Sequence, residues 1–566
     1  MTQRLPRKMS DRFGTQITFQ TLFGPWPSVD DLRTRLQALR RTDVISRIAW
    51  CSAFAKTWQT AKNNASDRLL RDYLFPFWRE HFHRWTDRYG EGFFFARHTM
   101  LWLLRQALRY CDPNGRPLAA DNIGVFGEAI LISNDLAAFA EPKPLPTDLA
   151  IAANMLPNME YFSQEDYDRD IGRMLYLLTD LAPNAVGTPF PGLAGRLQQL
   201  LGYDVAEYCD LAMACAMKGL LGDYSNPATF QVNTIGPLDF ATTSIPIDTA
   251  AQYLGANGSD EQDLATRFDA CQNLSDMTPV RERPFVKYQE RFLPLDTAFI
   301  LDKAGSGIFW TALKNAPDGE RAILLSQWGD LFERYVNKLL AGGLGKHSRV
   351  IPAPRFPNGD QACDGVIAEP DNMIFLEYKA STISSTIRYA DNPEHLGSML
   401  EERFVIGQGA ARKGLSQLHR AITRFINGEV LIHPDGTAVE ARSSGKIMPV
   451  LVHLDNALRT VAVPHYFIER FKQLGRFKGH TITPVTTLPV TELEELEGHL
   501  GEQPLSVFLE SFLGLVRSDK TAVFITRILP ALRGKSRTKG ATLRRFGEYL
   551  DAMERRLFPE QFAPRG

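Results

Sequence analysis

Apolar residues recur every three or four positions in several stretches of the chain, a spacing that predicts amphipathic helices. The clearest stretch places its apolar residues at Leu324, Trp328, Leu331, Phe332, Tyr335, Val336 and Leu339. Glu333 lies on the flank of this predicted helix, beside the small residue Gly329. A second helix is predicted over residues 409–427. The side opposite its apolar residues is polar and carries Lys413, Gln417, Arg420 and Arg424.

Two apolar runs flank a proline-containing turn over residues 368–372, which predicts a β-hairpin. Because side chains alternate across a strand, Glu377 and Lys379 share one face, about 6 to 7 Å apart. Pairing of the two strands then places Asp364 beside them. The turn also contains two acids that we expect to face solvent, Glu369 and Asp371.

Other apolar runs are short and predict further strands. A buried strand is predicted over residues 447–454, where apolar residues follow one another almost without a break. Runs over residues 284–288, 292–295 and 298–301 predict three more strands. Ahead of these strands, aromatic residues at helical spacing over residues 50–110 predict a helical domain with a large core.

Composition and charge bound the classes of protein that remain. With 566 residues, 44% hydrophobic and 23% charged, the chain is an ordinary globular one, long enough for two to four domains. The formal net charge of -1 gives no overall attraction for nucleic acid, so any DNA affinity must come from local patches. The clearest patch covers residues 517–545. Its loop of four cations is predicted to contact phosphate or, alternatively, to be an ordinary solvated loop: Arg533, Lys535, Arg537 and Lys539.

The cysteines and the N-terminus point to a reduced compartment. Six cysteines lie far apart without a C-x-x-C pair, which argues against a zinc ribbon and against a disulfide framework. No apolar core follows the charged N-terminus, and no apolar stretch is long enough to span a bilayer. We therefore expect a cytoplasmic protein without a membrane partner.

The residue types in the hairpin suit a metal-dependent reaction at phosphate. Mg²⁺ prefers oxygen ligands and keeps several waters, so two carboxylates such as Asp364 and Glu377 can hold it against a phosphate. Lys379 can stabilise charge that develops on the phosphate, or accept a proton if burial lowers its pKa. The structural alternatives are a strand-end ion pair for Glu377 and Lys379, a turn carboxylate for Asp364, and a solvated helix flank for Glu333.

This pattern of an acid followed by an acid-x-lysine triplet resembles the PD-(D/E)xK nuclease superfamily. The resemblance covers roughly residues 320–500. The helix before the hairpin matches one that often supplies a further acid, and Glu333 is the matching position. In the helix after the hairpin, Gln417 matches a polar residue that faces the site. The proline that names the superfamily is absent, since Asp364 follows Cys363.

The resemblance implies a fold. We expect a mainly α-helical N-terminal region followed by an α/β restriction endonuclease-like nuclease domain, whose central mixed sheet is flanked by helices. The expected division of the chain is a helical domain at 1–145, a second helical domain at 146–281, a strand-containing adaptor at 282–319, the nuclease domain at 320–500 and a basic helical segment at 501–566.

The resemblance also implies an activity, a Mg²⁺-dependent endodeoxyribonuclease in which Mn²⁺ is expected to substitute. Asp364, Glu377 and Glu333 would be the metal ligands, Lys379 the charge-stabilising or water-activating group, and Gln417 a supporting polar residue. Three cations of the helix after the hairpin would bind the nucleic acid: Lys413, Arg420 and Arg424. A helical region ahead of such a domain resembles bacterial antiviral defence or restriction effectors, which would require gating by a partner, a trigger or self-association into a homo-oligomer. Two alternatives stay open: cleavage of RNA, and a nucleic-acid-binding or scaffolding protein whose nuclease core is inactive.

Overall fold

The structure is a computed structural model that describes most of the chain. The described residues are 15–59, 73–74, 80, 82, 92–93, 96–138, 147–162, 167–183, 191–220, 232–346, 348–407, 414–439, 445–460, 462–518 and 540–559. Among them the strands are β1 (Thr15–Gln16), β2 (Gly92–Phe93), β3 (Gly258–Ser259), β4 (Phe285–Tyr288), β5 (Arg291–Pro294), β6 (Arg349–Pro352), β7 (Gly365–Ala368), β8 (Asn372–Lys379), β9 (Lys446–His453) and β10 (Thr486–Pro489).

Helices make up most of the described structure. In chain order they are α1 (Phe19–Phe23), α2 (Val29–Gln37), α3 (Arg41–Gln59), α4 (Arg97–Tyr110), α5 (Ile123–Ala138), α6 (Asp148–Phe162), α7 (Tyr167–Leu175), α8 (Pro191–Leu201), α9 (Val205–Leu220), α10 (Ile247–Ala256), α11 (Glu261–Asp269), α12 (Thr278–Glu282), α13 (Thr297–Ala304), α14 (Gly307–Asn315), α15 (Asp318–Gly343), α16 (Ser385–Arg388), α17 (Pro393–Leu400), α18 (Leu415–Ile426), α19 (Val463–Gln473), α20 (Val490–Leu500), α21 (Leu505–Ser518) and α22 (Ala541–Leu557). Short 3₁₀ turns lie at Pro237–Phe240 and Asn456–Arg459, and π turns at Tyr176–Leu181 and Glu401–Val405.

The chain divides into two compact units, each discontinuous in sequence. The first contains Met1–Pro144, Cys209–Ala304 and Glu554–Gly566, and the second contains Leu145–Tyr208 and Gly305–Met553. The five segments expected from the sequence stay a prediction. No helix in the described part of the chain is both long and apolar enough to cross a bilayer.

The first unit combines helices with a three-stranded sheet in the order β3-β4-β5. The strand β3 pairs parallel with β4, and β4 pairs antiparallel with β5. Two of the predicted strands are thereby confirmed, but the strand predicted over residues 298–301 is wrong, because these residues lie in α13. An acid explains the helix: Asp296 lies directly before α13, and its Oδ1 accepts from the N–H of Phe299 at 2.9 Å.

The second unit contains a five-stranded mixed sheet in the order β10-β9-β8-β7-β6. The strands β6, β7 and β8 are antiparallel, whereas β8, β9 and β10 are parallel. The predicted hairpin is confirmed as β7 and β8, and the predicted buried strand as β9. On one face of the sheet, Val366, Phe375 and Leu451 pack in a buried cluster with residues of α6, α17, α18 and α19.

The long helix α15 contains the predicted 3-and-4 stripe, whose residues are buried as expected. Its first turn carries the acids Asp318 and Glu320, which favour a helix N-terminus. The helix contacts β6 and β8. Side chains alternate along β8, so Tyr378 points away from Glu377 and Lys379, and its hydroxyl donates to Oδ1 of Asn337 in α15 at 2.9 Å.

Candidate metal centre

The hairpin register brings Asp364 opposite Glu377. Gly365 pairs with Leu376, so the next residues along the two antiparallel strands are Asp364 and Glu377. The N–H of Asp364 donates to the carbonyl of Leu376 at 3.1 Å. Both carboxylate oxygens of Asp364 are oriented by neighbours: Oδ2 accepts from the N–H of Tyr378 at 2.7 Å, and Oδ1 from Nε2 of Gln361 at 3.2 Å.

Glu377 is a buried carboxylate with one unpaired acceptor. Glu377 is only 1% exposed. Oε1 accepts from Nζ of Lys379 at 2.6 Å and from the N–H of Gly414 at 2.9 Å. Among the described residues, Oε2 has no hydrogen-bond partner. A buried carboxylate oxygen is costly unless a donor or a cation satisfies it, so Oε2 is available to accept from a water or to bind a cation.

Lys379 supplies the positive charge of the site. Its side chain is 14% exposed. Burial opposes the charged form, but the negative charges of Glu377, Asp364 and Glu333 outweigh it and raise the pKa of Lys379 above its ordinary value. The lysine is therefore held as an ammonium ion among three acids.

The acids influence one another across the site. Burial, and then the charge of Glu377, raise the pKa of Asp364 well above its usual range. On α15, burial raises the pKa of Glu333 to about 7, with further contributions from the charges of Asp330 and Glu377. A cation bound beside Asp364 and Glu377 would offset this repulsion and favour the ionised carboxylates.

The contact between Tyr378 and Asn337 fixes α15 against the strand of the triplet. Asn337 lies four residues after Glu333, one helical turn further along the same face. Close packing at Gly365 allows this contact, because a Cβ atom there would lie 2.4 Å from the hydroxyl oxygen of Tyr378. The placement of Glu333 therefore depends on a glycine and a tyrosine in the hairpin.

The start of α18 contributes a backbone donor that the sequence pattern did not predict. Gly414 directly precedes the helix with φ +70°, and a Cβ atom there would lie 2.1 Å from the carbonyl oxygen of Phe404. Only glycine accommodates both conditions, and its N–H reaches Glu377. The signal in the sequence was a lone glycine at the head of an amphipathic helix.

His453 is a second unpredicted component. It pairs with Lys379 in the parallel register of β8 and β9, and therefore lies on the same face of the sheet. The residue is completely buried. Its Nδ1 donates to the carbonyl of Asp455 at 3.0 Å, and no described residue contacts Nε2 by a hydrogen bond. Burial lowers the pKa of His453 to about 3, so the ring is neutral and Nε2 carries a lone pair.

The remaining predicted residues differ in their surroundings. Gln417 lies in the first turn of α18 and is partly buried, as is Arg420. The guanidinium of Arg424 is engaged: it pairs with Glu429 at 2.5 Å and with Asp360 at 3.0 Å, and lies 3.8 Å from the ring centre of Phe356. The other predicted cations lie outside the described residues, namely Lys413, Arg533, Lys535, Arg537 and Lys539.

The expected exposure of Glu369 is wrong. Asp371 is exposed, but Glu369 is buried at 8% exposure. Its Oε1 accepts from the N–H of Ser506 at 3.4 Å, in the first turn of α21. The free N–H groups and the dipole of a helix N-terminus favour a carboxylate, which explains why this acid turns inward.

Comparison with known proteins adds no assignment. No protein-family model matches the chain, and neither does any curated protein or solved structure. The site is therefore interpreted from its own chemistry.

The donor set fits a hard divalent cation that keeps much of its water. In the described part of the chain, no three or more His, Cys, Asp or Glu side chains form a group that could hold a metal ion, so Glu333 does not join Asp364 and Glu377 in one ligand set. Mg²⁺ does not require one, since one or two carboxylates together with waters and substrate phosphate suffice. Asp364 and the open Oε2 of Glu377 provide such oxygens.

Proposed function

We propose that the protein is a metal-dependent nuclease that hydrolyses phosphodiester bonds in DNA. The observation that carries the proposal is the unpartnered Oε2 of Glu377, a buried oxygen opposite Asp364, in a carboxylate that Lys379 contacts at 2.6 Å. An ordinary ion pair at a strand end accounts for the contact of Oε1 with Lys379, but it does not account for the unpartnered Oε2. A cation site accounts for both.

Each residue has a role that follows from its surroundings. Asp364 and Glu377 would hold Mg²⁺ or Mn²⁺, with Glu333 as a supporting acid. A bound metal of this kind acts as a Lewis acid toward phosphate and lowers the pKa of water. Lys379 stabilises negative charge on the phosphate, a role that its raised pKa favours over that of proton acceptor. Burial raises the pKa of Glu333 in the metal-free protein, and a bound cation would lower it again, so Glu333 would act as a carboxylate that supports the metal.

The substrate and its control are further parts of the proposal. DNA is the proposed substrate, and RNA is the alternative, because the site acts on phosphate and no identified residue reads the sugar. A cell must restrain such an activity against its own DNA. We therefore propose that a trigger, a partner or self-association controls it, as in antiviral defence effectors.

The test is a cleavage assay with the full chain. Supercoiled DNA, linear DNA and RNA are incubated with the wild type in Mg²⁺, Mn²⁺ or EDTA, beside Asp364→Asn and Lys379→Met. Two exposed residues of the same unit supply matched controls, Asp371→Asn in the hairpin turn and Lys338→Met on α15. We expect metal-dependent cutting that both site variants lose by at least a hundredfold and both controls keep.

The outcome also decides between the alternatives. Cutting of RNA alone would replace DNA as the substrate. Binding of nucleic acid without cutting, unchanged in Asp364→Asn, together with no binding of Mn²⁺ by the wild type, would contradict the nuclease proposal and favour the inactive binding protein.

A further inference from the structure

The ammonium group of Lys379 supplies positive charge to the three acids of the candidate site, Asp364, Glu377 and Glu333. Nζ of Lys379 lies 2.6 Å from Oε1 of Glu377, in surroundings where Glu377 is 1% exposed. The charges of Asp364 and Glu333 also act on this ammonium group. Without this ammonium group, the buried carboxylates would repel one another and no cation would offset the repulsion.

A metal ion and the ammonium group would compete for the same carboxylates. Both are cations, and placing them on one carboxylate in a buried site would make them repel each other at short range. The approach of a divalent ion to Glu377 therefore weakens the hold of that carboxylate on Lys379. An ammonium group that leaves Oε1 needs another acceptor, because a buried donor without a partner is costly.

Such an acceptor lies on the neighbouring strand. His453 pairs with Lys379 in the register of β8 and β9, and both side chains lie on the same face of the sheet. Nδ1 of His453 must carry its proton, since its partner is the carbonyl of Asp455. The lone pair therefore resides on Nε2, which is buried and has no hydrogen-bond partner among the described residues.

We propose that Lys379 is an internal counter-ion of the metal-free site, and that metal binding displaces its ammonium group from Glu377 to Nε2 of His453. This inference rests on the proposed metal site. It implies a lower affinity for the metal, because the metal must first displace the lysine. His453 is a positioning residue in this scheme, because it acts on substrate only through the lysine that it holds.

Metal affinity tests the first half of the inference. Mn²⁺ binding to the full chain is measured by isothermal titration calorimetry for the wild type, Lys379→Met and the exposed control Lys338→Met. We expect Lys379→Met to bind Mn²⁺ at least fivefold more tightly than the wild type, although it loses cleavage, and to unfold at a lower temperature in EDTA. The control should match the wild type in both measurements.

The outcomes separate the inference from the proposed function. If the wild type binds Mn²⁺ and Lys379→Met binds it equally or more weakly, the counter-ion role is overturned while the metal site stands. If the wild type binds no Mn²⁺, both are overturned. Circular dichroism establishes that each variant is folded.

Nitrogen NMR tests the second half of the inference in the wild type. In protein with ¹⁵N-labelled histidine, the Nε2 resonance of His453 should move upfield when Mg²⁺ is added. The reason is that an unprotonated ring nitrogen becomes more shielded when its lone pair accepts a hydrogen bond. His453→Gln identifies the resonance. In Lys379→Met the Mg²⁺-dependent movement should be absent. A resonance that stays in place in the wild type at saturating Mg²⁺ would overturn the transfer to His453.

Discussion

Glu377 is satisfied on one oxygen and open on the other, and this asymmetry governs the chemistry of the site. Lys379 and the N–H of Gly414 both bind Oε1. A buried oxygen without a partner costs about 1 to 3 kcal/mol, and a bound cation would offset this cost. We propose that a cation does so at Oε2 of Glu377.

Gly414 should tolerate no side chain. We expect Gly414→Ala to lower the free energy of unfolding by about 2 to 4 kcal/mol, since alanine meets both an unfavourable φ and a clash with the carbonyl of Phe404. Mn²⁺ affinity should fall as well, because the donor to Glu377 moves. Gly428→Ala is the control, since Gly428 has φ +92° but open space around it. Equal losses in the two variants would show that the clash contributes nothing.

Glu333 should make the metal-free protein less stable as the pH rises. Its pKa is about 7 in the fold against an ordinary 4.5, so between these values the folded state binds more protons than the unfolded state. This contribution to stability is therefore greatest below pH 4.5 and declines as the pH rises through 7, by an amount on the order of 3 kcal/mol. Glu333→Gln should remove this part of the slope in EDTA. Identical slopes for the wild type and the variant would contradict the shifted pKa.

The residues of the site differ in how far the sequence could predict them. The alternation of β8 puts Glu377 and Lys379 on one face, and the hairpin turn puts Asp364 opposite them, so spacing alone brought these three together. Gly414 acts through its backbone N–H, which every residue but proline has, and no pattern of side chains marks it. His453 depends on the register between β8 and β9, which are separated by 66 residues of sequence, and a single strand does not encode its pairing with a distant one.

At the scale of elements, α15 is held by a buried polar network as well as by its apolar stripe. The hydroxyl of Tyr335 donates to Oε1 of Glu494 in α20 at 2.6 Å, and the same oxygen accepts from Nε of Arg173 in α7 at 2.6 Å. Tyr335 lies two residues after Glu333, so the network fixes the helix that carries the supporting acid. Three helices meet at one carboxylate.

Breaking this network should lower the free energy of unfolding far more than breaking a neighbouring pair that is more exposed. We expect Glu494→Gln to lower the free energy of unfolding by about 3 to 5 kcal/mol, because it leaves Arg173 buried with too little negative charge. Glu495→Gln is the control: Glu495 pairs with Arg169 at 2.8 Å but is 34% exposed, and its removal should cost about 0 to 1 kcal/mol. Urea denaturation compares the two, and similar losses would refute the role of the buried network.

The sequence predicts a helix or strand most accurately where the hydrophobic pattern is long or where the residues of a turn are distinctive. The stripe of α15 and the hairpin of β7 and β8 are of this kind. The run at residues 298–301 is short and apolar, so strand and helix are equally compatible with it, and the capping acid Asp296 decides for α13. The side chain of Glu369 is buried because it contacts the N-terminus of α21, a helix that lies more than a hundred residues later in the sequence.

At the scale of the whole molecule, the proposed binding of DNA requires a local excess of positive charge. The formal net charge is -1, and Arg424 is already bound by two acids. The division of the chain is also a property of the whole, since each compact unit is assembled from segments far apart in sequence.

The cations of residues 533–540 should supply much of the attraction for phosphate. We expect the double variant Lys535→Gln and Lys539→Gln to bind DNA more weakly in EDTA, with a log-log salt slope smaller by about 0.9 for each phosphate that the protein no longer neutralises. Lys287→Gln with Lys314→Gln removes the same charge from exposed positions elsewhere and is the control. Fluorescence anisotropy across a salt series measures both, and parallel slopes would mean that net charge, not this loop, attracts DNA.

A crystal structure grown with Mn²⁺ would show whether the acids of the hairpin form a metal site. We expect an anomalous peak at bonding distance from a carboxylate oxygen of Asp364 and from Oε2 of Glu377, with Nζ of Lys379 no longer on Oε1. A structure at saturating Mn²⁺ with no peak between these carboxylates, and with the contact of 2.6 Å from Lys379 to Glu377 intact, would contradict the proposed metal site.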